Sequence, residues 1–288
     1  MGTPAAFDAA KPRLFGLAYR MLGSRAEAED VVQESYVRWH QADEAAIRNP
    51  EAWLVTTATR LAIDRLRALK VERNAYVGPW LPEPLIASPP PPDRDVELAS
   101  DLSIAFLVLL ERLAPEERAA FLLHDVFDCG YAEIAGLLGK TEAAARQIVH
   151  RARGRVRGEQ QRFHTTEAAR VRLLNAFVEA VQARDEQTLL RLFEPGATWT
   201  ADGGGKAAAV PHPIEGADAI VKLLLGLQKR FAREGVTMHL GTVNGETGLL
   251  IRLGGRVGAA ITIVTDGERI ASAYAVVNPD KLPGPTVQ

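Results

Sequence analysis

The 288-residue sequence has a single cysteine, only 6% aromatic residues and a formal net charge of −2. One cysteine, Cys129, excludes a disulfide framework and a cysteine-based zinc site. The longest apolar runs, such as Ile104–Leu110, fall far short of the roughly 20 residues that a membrane span needs. The N-terminal segment lacks the apolar core of a signal peptide, so we expect a soluble cytoplasmic protein with no membrane partner.

The sequence also lacks the common catalytic and cofactor motifs, since it contains no HExxH pair, GxSxG elbow, P-loop or GxGxxG loop. Its histidines are not spaced as a metal site would require. The stretch DGGGK at 202–206 has the glycines of a phosphate loop but no Ser or Thr after its lysine. A tight turn is the simpler interpretation. We therefore predict no catalytic residue, no metal and no cofactor.

Charges are abundant but unevenly placed along the chain. An acidic segment holds Glu27, Glu29, Asp30 and Glu34. A basic segment follows at 60–73, and residues 140–162 carry seven cations against two carboxylates. A solvated helix face explains any one of these runs. Acidic and basic segments in the same chain together favour a protein partner and a nucleic acid.

Helical periodicity covers residues 7–70 and then disappears between 74 and 93, where seven of the 17 prolines lie. Proline has no amide donor and a fixed φ, so this segment is predicted to be an extended, fairly stiff linker. A passive linker would not need the apolar Trp80 and Leu81. We therefore expect the linker to dock on another part of the protein.

The pattern changes again after His164. Amphipathic helical patterns precede a region, 236–277, of β-branched or alternating segments. Asn244-Gly245 and Asp266-Gly267 in this region are typical of type I′ hairpin turns. These features predict an α+β domain with an antiparallel sheet near its C-terminal end.

The sharpest local signal lies at 131–153, where Gly139 separates two helical patterns and Ala135 is small at their expected crossing. A plain helical hairpin would share this pattern, but the excess of cations favours a DNA-binding helix-turn-helix. The outward face of the second helix carries residues that can contact phosphates or base edges. These residues are Thr141, Arg146, Gln147, His150, Arg151 and Arg153.

Several stretches, taken in order, resemble an extracytoplasmic-function (ECF) sigma factor of RNA polymerase. RLFGLAYRMLGSRAEAEDVVQESYVRW and EAWLVTTATRLAIDRLRAL are similar to the σ2 segments for core polymerase and the −10 element. ERLAPEERAAFLLHDVFDCGYAEIAGLLGKTEAAARQIVHRARGRV resembles σ4, which reads the −35 element. YVGPWLPEP, DGGGK and NPDKL resemble motifs of the SigJ-like subgroup, which carries a C-terminal SnoaL-like domain.

The resemblance implies two all-α sigma domains, σ2 and a helix-turn-helix σ4, followed by an α+β SnoaL-like cone with a curved antiparallel sheet. We expect σ2 at 1–73, the Pro-rich linker at 74–95, σ4 at 96–163 and the SnoaL-like domain at 164–288. The implied function is promoter-specific transcription initiation, with core RNA polymerase and promoter DNA as partners. Since phosphate neutralisation dominates DNA affinity, a chain of net charge −2 should need the polymerase to bind promoters.

The same resemblance assigns candidate residues to each partner. Core polymerase would contact Asp30, Gln33 and Glu34. The −10 element would meet Arg60, Arg65, Arg67 and Lys70, although many members of the family have asparagine at the position of Arg60. The −35 element would meet the six residues of the second helix of the helix-turn-helix.

The C-terminal domain is left with alternative functions. It would regulate transcription in cis through contacts among Trp80, Leu81, Pro82, Asp202, Gly203, Gly204, Gly205, Lys206, Asn278, Pro279, Asp280 and Lys281. In this interpretation the linker docks near DGGGK. Alternatively, the domain would bind an unknown small ligand or catalyse a reaction, with Trp199, Asp202 and His212 lining a pocket. The rival function for the whole chain is a one-component helix-turn-helix regulator with a small-molecule-sensing or cyclase/isomerase-like C-terminal domain.

Overall fold

The protein is described here by a computed structural model that places residues 3–43, 47–87, 102–160, 165–231 and 235–283. The chain divides into two compact units. Unit 1 comprises Met1–Ala75 and Leu109–Gly158, and unit 2 comprises Tyr76–Val108 and Glu159–Gln288. Residues 76–87 of the linker therefore belong to the same unit as the C-terminal domain. Pro89–Pro92, the densest proline run of the linker, lie outside the described residues.

Unit 1 begins with three helices: α1 (Pro4–Leu22), α2 (Arg25–Gln41) and α3 (Pro50–Arg73). Their apolar stripes pack together and bury Leu14, Leu17 and Leu66 completely. Gly23 ends α1 in the left-handed conformation, with φ +66°, and the Asn49 side chain caps α3 by accepting the Ala52 N–H. The predicted helical character of residues 7–70 is thus confirmed.

The rest of unit 1 is also helical. A short helix, α4 (Ile104–Leu110), spans the boundary between the units and leads into α5 (Pro115–Asp125), α6 (Tyr131–Leu138) and α7 (Glu142–Gln160). Gly139 ends α6 with φ +64°, and Ala135 and Ala145 are buried on the two helices on either side of it. The predicted helix-turn-helix is therefore present. No helix within the described ranges is long and apolar enough to cross a membrane.

Unit 2 combines helices with a seven-stranded sheet. The helices are α8 (Glu167–Ala183), α9 (Glu186–Leu192) and α10 (Ala217–Phe231), and a 3₁₀ turn covers Pro279–Lys281. The strands are β1 (Ile86–Ala87), β2 (Phe193–Asp202), β3 (Ile214–Glu215), β4 (Thr237–Val243), β5 (Glu246–Leu253), β6 (Arg256–Thr265) and β7 (Ile270–Val276). Their order across the sheet is β1-β4-β5-β6-β7-β2-β3.

The α+β prediction is confirmed, and every neighbouring strand pair but one is antiparallel, as expected. The exception is β2, which pairs with β7 in parallel and makes the sheet mixed. Tight turns join β4 through β7 and force antiparallel pairing between them. No turn joins β2 to β7, because β2 precedes α10 and the whole run of hairpins, so its direction is not constrained in this way.

The sheet buries both of its faces. Successive strand residues point to opposite sides, so Leu249 and Ala275 lie in one core with the three helices, while Leu250 and Val276 lie in a second core. The second core is covered by Leu81 of the linker and Ile104 of α4. The linker and α4 therefore both contribute to the apolar cover of one face of the sheet, and β1 also extends the edge of the sheet by pairing with β4.

Candidate functional site

The exposed face of α2 carries the predicted polymerase-binding residues. Asp30, Gln33 and Glu34 are all exposed, and their spacing places them on one side of the helix. Val37, one further turn along this face, is 47% exposed. Glu34 accepts a hydrogen bond from Arg38 at 2.9 Å, an exposed i,i+4 pair that leaves the face open. The structure thus brings these residues together on an accessible acidic surface.

The predicted −10 cations lie on α3, but each contacts another protein group. Arg65 pairs with Glu27 and Glu72, and the hydrogen bond to Glu27 is the main cause of its raised pKa. Arg67 pairs with Asp64 at 2.9 Å and with Glu116 of α5 at 3.0 Å. The other two cations donate to backbone carbonyls, Lys70 to that of Leu113 at 2.9 Å and Arg60 to that of Leu137 at 3.4 Å.

A buried charge triad holds α1 and α3 against α5. Arg118, fully buried, donates to Glu111 and to the Met21 carbonyl, both at 2.7 Å. Arg73 donates to the second oxygen of Glu111 and to the Leu22 carbonyl, both at 2.6 Å. Burial acts to raise the pKa of the Glu111 carboxyl, but the guanidinium groups of Arg118 and Arg73 lower it below its ordinary value. The triad carries no local sequence pattern that could have predicted it.

The outward face of α7 is largely accessible. Arg146, Gln147, His150 and Arg151 are exposed, and Thr141 caps the helix by accepting the Ala144 N–H at 3.3 Å. Arg146 lies over the Tyr131 ring, with its guanidinium 4.9 Å from the ring centre, and pairs with Glu142. Arg153 differs from the others because both oxygens of Asp125 hold its guanidinium.

Unit 2 contains a polar cluster centred on Asp202, at the C-terminal end of β2. Asp202 is completely buried, and its Oδ2 accepts the Leu81 N–H at 2.8 Å and the Lys281 ammonium at 2.7 Å. Its Oδ1 accepts the Tyr76 hydroxyl at 2.5 Å, and that hydroxyl accepts the Asn278 amide at 2.9 Å. These five residues, Tyr76, Leu81, Asp202, Asn278 and Lys281, are called the Asp202 cluster below.

The Asp202 cluster ties the linker to two chain segments of the C-terminal domain. Lys281 also donates to the Leu81 carbonyl at 2.6 Å and lies 4.2 Å from the centre of the Trp80 ring. Burial raises the pKa of the Tyr76 hydroxyl, and the hydrogen bond to Asp202 raises it further. Pro82 is buried next to Leu81. The Asp202 carboxylate and the Lys281 ammonium are thus hydrogen-bonded by protein groups in place of water.

The glycines after Asp202 allow this close approach. A Cβ on Gly203 would lie 2.5 Å from the Ala207 carbonyl oxygen, and one on Gly204 would lie 2.2 Å from the Asn278 amide nitrogen. Gly204 also has φ +57°, which disfavours other residues. Gly205 packs against Val77, and Lys206 pairs with Asp280 at the surface, beside Pro279. DGGGK is therefore a turn that contacts the linker and the NPDKL segment.

A cavity of about 610 Å³ lies in unit 2, on the helix-covered side of the sheet. Trp199 lines it as expected, but Asp202 and His212 do not belong to its lining. Asp202 instead binds the linker, and His212 is exposed. The alternative of an acid–base pair lining this pocket is therefore not supported. Among the described residues, no cluster of three or more His, Cys, Asp or Glu could hold a metal ion.

Comparisons with known proteins match both halves of unit 1. Residues 6–71 match the family model Sigma-70 region 2, and residues 103–156 match Sigma-70, region 4. The whole chain is similar to the ECF RNA polymerase sigma factor SigJ of Mycobacterium tuberculosis, with 38% identity covering 96% of this chain and 92% of SigJ. This chain belongs to the ECF sigma factors.

The similarity of this ECF sigma factor extends through its C-terminal domain. The crystal structure of Mycobacterium tuberculosis SigJ matches 99% of this chain and all of that one, with a TM-score of 0.78 and 35% identity. A probable ECF sigma factor of the same species, SigI, is 29% identical over 96% of this chain and 94% of SigI. The chain is thus a SigJ-like sigma factor with an α+β C-terminal domain, and the alternative of a one-component regulator is not supported. The absence of catalysis stays a prediction.

Proposed function

We propose that this sigma factor binds core RNA polymerase through the exposed face of α2 and promoter DNA through α3 and α7, while unit 2 regulates it in cis by holding the linker. The proposed domains keep the predicted boundaries, 1–73, 96–163 and 164–288, with the linker at 74–95 between the first two and its residues 76–87 in the same unit as the last. The observation that carries the regulatory part is the Asp202 cluster, a fully buried carboxylate bound to the linker backbone.

Chain connectivity gives the Asp202 cluster its proposed effect. The two parts of unit 1 end at Ala75 and resume at Leu109, and the segment that joins them belongs to unit 2. Both ends of that segment are fixed there, since Leu81 and Ile104 share a core with the sheet. The two sigma domains can therefore separate widely only if this segment is released from the sheet.

The contacts within unit 1 support a form of the sigma factor in which the two sigma domains are held together. Arg67 pairs with Glu116, Lys70 donates to the Leu113 carbonyl and Arg73 pairs with Glu111. All three partners follow the linker, whereas the cations precede it. Cations engaged in this way are less available to phosphates, so separation of the two sigma domains would expose the −10 surface on α3. A buried triad is compatible with such opening, because desolvation offsets much of its attraction.

The exposed residues of α7 are assigned to the −35 element. Arg146, Gln147, His150 and Arg151 form one accessible face, and arginine and glutamine suit base edges in the major groove. The capped N-terminus of α7 at Thr141 favours a phosphate. Arg153 is assigned to the same surface at its edge, where Asp125 orients its guanidinium.

Reversing two charges on α2 should impair assembly with core polymerase. Asp30→Lys combined with Glu34→Lys converts the acidic face into a basic one, which should lower the association rate and weaken binding by roughly tenfold or more. Screening makes the loss larger at low salt than at high salt. The measurement is an affinity titration of core polymerase with the labelled full chain at two salt concentrations.

A matched control comes from unit 2. Glu179 and Glu186 are exposed carboxylates on α8 and α9, and reversing both changes the net charge by the same amount. This control should bind core polymerase like the wild type. Equal affinities for the α2 variant and the wild type would contradict the assignment of α2.

A further inference from the structure

The cavity in unit 2 is large enough for a small molecule and is walled mainly by hydrocarbon. Its volume of about 610 Å³ lies in the usual range for ligand pockets. Phe177, Leu224, Met238, Ile251, Ala259 and Val277 are among its lining residues. Nothing in the described part of the chain fills this space, and apolar cavities hold water poorly while accepting apolar guests.

The polar groups of the cavity wall are few. Its polar side chains are Trp199, Gln228 and Arg230, and no carboxylate or imidazole is among the described lining residues. The Oε1 atom of Gln228 is buried and has no hydrogen-bond partner among the described residues. A buried acceptor without a partner costs free energy, which a donor on a bound molecule would recover once the Gln228 side chain turned its amide into the cavity. The lining therefore suits binding rather than acid–base chemistry.

We propose that this cavity binds an uncharged, mainly hydrocarbon small molecule that carries one hydrogen-bond donor for the Gln228 amide. The apolar lining supplies the affinity, because burial of hydrocarbon surface is the main favourable contribution to binding in such a pocket. The amide supplies orientation. A strongly polar molecule is disfavoured, since most of the wall offers it no partner.

The wall of the cavity also includes the chain segments beside the Asp202 cluster. Ala207–Val210 line it and follow DGGGK directly, and Val277 lines it and precedes Asn278. Gly203 fits against the Ala207 carbonyl with no room for a Cβ. A bound molecule would thus contact the backbone that positions Asp202 and Asn278. This coupling rests on the regulation proposed above, whereas binding in the cavity does not.

The test uses N-phenyl-1-naphthylamine, an uncharged aromatic probe with one N–H donor whose fluorescence rises in apolar surroundings. Titration into the full-length protein should give a saturable signal with one site per chain. Ala259→Leu should weaken binding at least tenfold, because Ala259 lies on the same side of β6 as Ile261 and a larger side chain there fills the cavity. Gln228→Leu should weaken it about three- to tenfold.

Two further variants keep the test decisive. Leu227→Trp fills the cavity from α10 and should block the probe even if Ala259→Leu folds poorly. Ala183→Leu makes the same kind of change at an exposed position outside the lining and should bind the probe like the wild type. Circular dichroism melting verifies that each variant is folded. Absence of saturable binding, or equal binding by wild type and both filled variants, would overturn the proposed site.

The coupling has a separate readout. Saturating probe should change the hydrogen–deuterium exchange of residues 76–87 in the wild type and leave it unchanged in Leu227→Trp. Saturable binding without any change in this exchange would refute the coupling to the linker but would still support the proposed ligand site.

Discussion

Replacing Asp202 by alanine should release the linker from the sheet and destabilise unit 2 by about 3–5 kcal/mol, the usual cost of removing one partner of a buried ion pair. The loss is large because Asp202 is fully buried, and its removal would leave Lys281, whose side chain is only 12% exposed, without its carboxylate partner. The Leu81 N–H and the Tyr76 hydroxyl would lose their acceptor as well. Urea denaturation followed by circular dichroism measures the loss of stability, and hydrogen–deuterium exchange of residues 76–87 locates it.

A control variant is available in the same two motifs, DGGGK and NPDKL. Lys206 and Asp280 form an ion pair in which both side chains are 58% exposed, so Lys206→Ala should cost at most about 1 kcal/mol. Exchange of residues 76–87 should stay as slow as in the wild type. If Asp202→Ala and Lys206→Ala had the same small effect, the Asp202 cluster would not be what holds the linker.

Removing Arg146 and Arg151 together should weaken promoter binding by the holoenzyme by about 1–3 kcal/mol for each arginine that pairs with a base edge, and by less for one that pairs with a phosphate. Both side chains are exposed on the outward face of α7, and their existing pairs, with Glu142 at 2.9 Å and with Glu117 at 3.9 Å, are exposed or long. Little free energy is therefore needed to release the two arginines from these pairs so that they can contact DNA. Electrophoretic mobility shifts with core polymerase and a promoter fragment give the affinities.

Comparing two −35 sequences distinguishes a loss of base recognition from a general loss of DNA affinity. The double variant should lose most of the wild type's preference for the native −35 element over a scrambled one. Arg172→Ala, at an exposed arginine of unit 2 that pairs with Glu268, should keep that preference. If the double variant kept the wild type's preference, the outward face of α7 would not be the surface that reads the −35 element.

The helical part of the fold could be predicted because its determinants are local. Apolar periodicity marked the stripes of α1 to α3, and Gly139 between two short patterns marked the helix-turn-helix. The hairpins at Asn244-Gly245 and between β5 and β6 are local as well, and both residues of Asn244-Gly245 have positive φ. The Asp266-Gly267 turn is longer than predicted, because residues 266–269 all lie between the strands.

The place of the linker could be predicted only in part. Trp80 and Leu81 indicated that it docks, but the strand pairing of Ile86 with Val243 joins residues with no local signal for each other. The hydrogen bond between Leu81 and Asp202 spans 121 positions of the chain. A sequence shows which groups need burial, whereas the partner of each group depends on the tertiary packing.

The charged residues show the same division. The family resemblance marked the cations of α3 as candidates, but nothing near them in the sequence indicated that Glu116 and the Leu113 carbonyl would engage Arg67 and Lys70. Likewise, the aspartate of DGGGK has the residue type of a catalytic acid and the surroundings of a structural one. Its role is decided by Lys281 and the linker amide, which come from distant segments.

The most direct test of the proposed regulation is to lock the linker on the sheet and measure transcription. Ile86 and Val243 are direct neighbours on β1 and β4. The adjacent Asn244 N–H donates to the Leu85 carbonyl, which makes Ile86–Val243 a pair without mutual hydrogen bonds, about 4.5 Å apart at Cα. Cysteines at both positions, in a Cys129→Ser background, therefore meet the geometric needs of a disulfide.

In vitro transcription with core polymerase is then compared for the oxidised and reduced forms of this one protein. If the linker must leave the sheet, the oxidised form should produce at least tenfold fewer transcripts, and dithiothreitol should restore the level of the Cys129→Ser parent. Equal transcription by the oxidised and reduced forms, with the disulfide verified by mass spectrometry, would contradict control of this sigma factor through release of its linker.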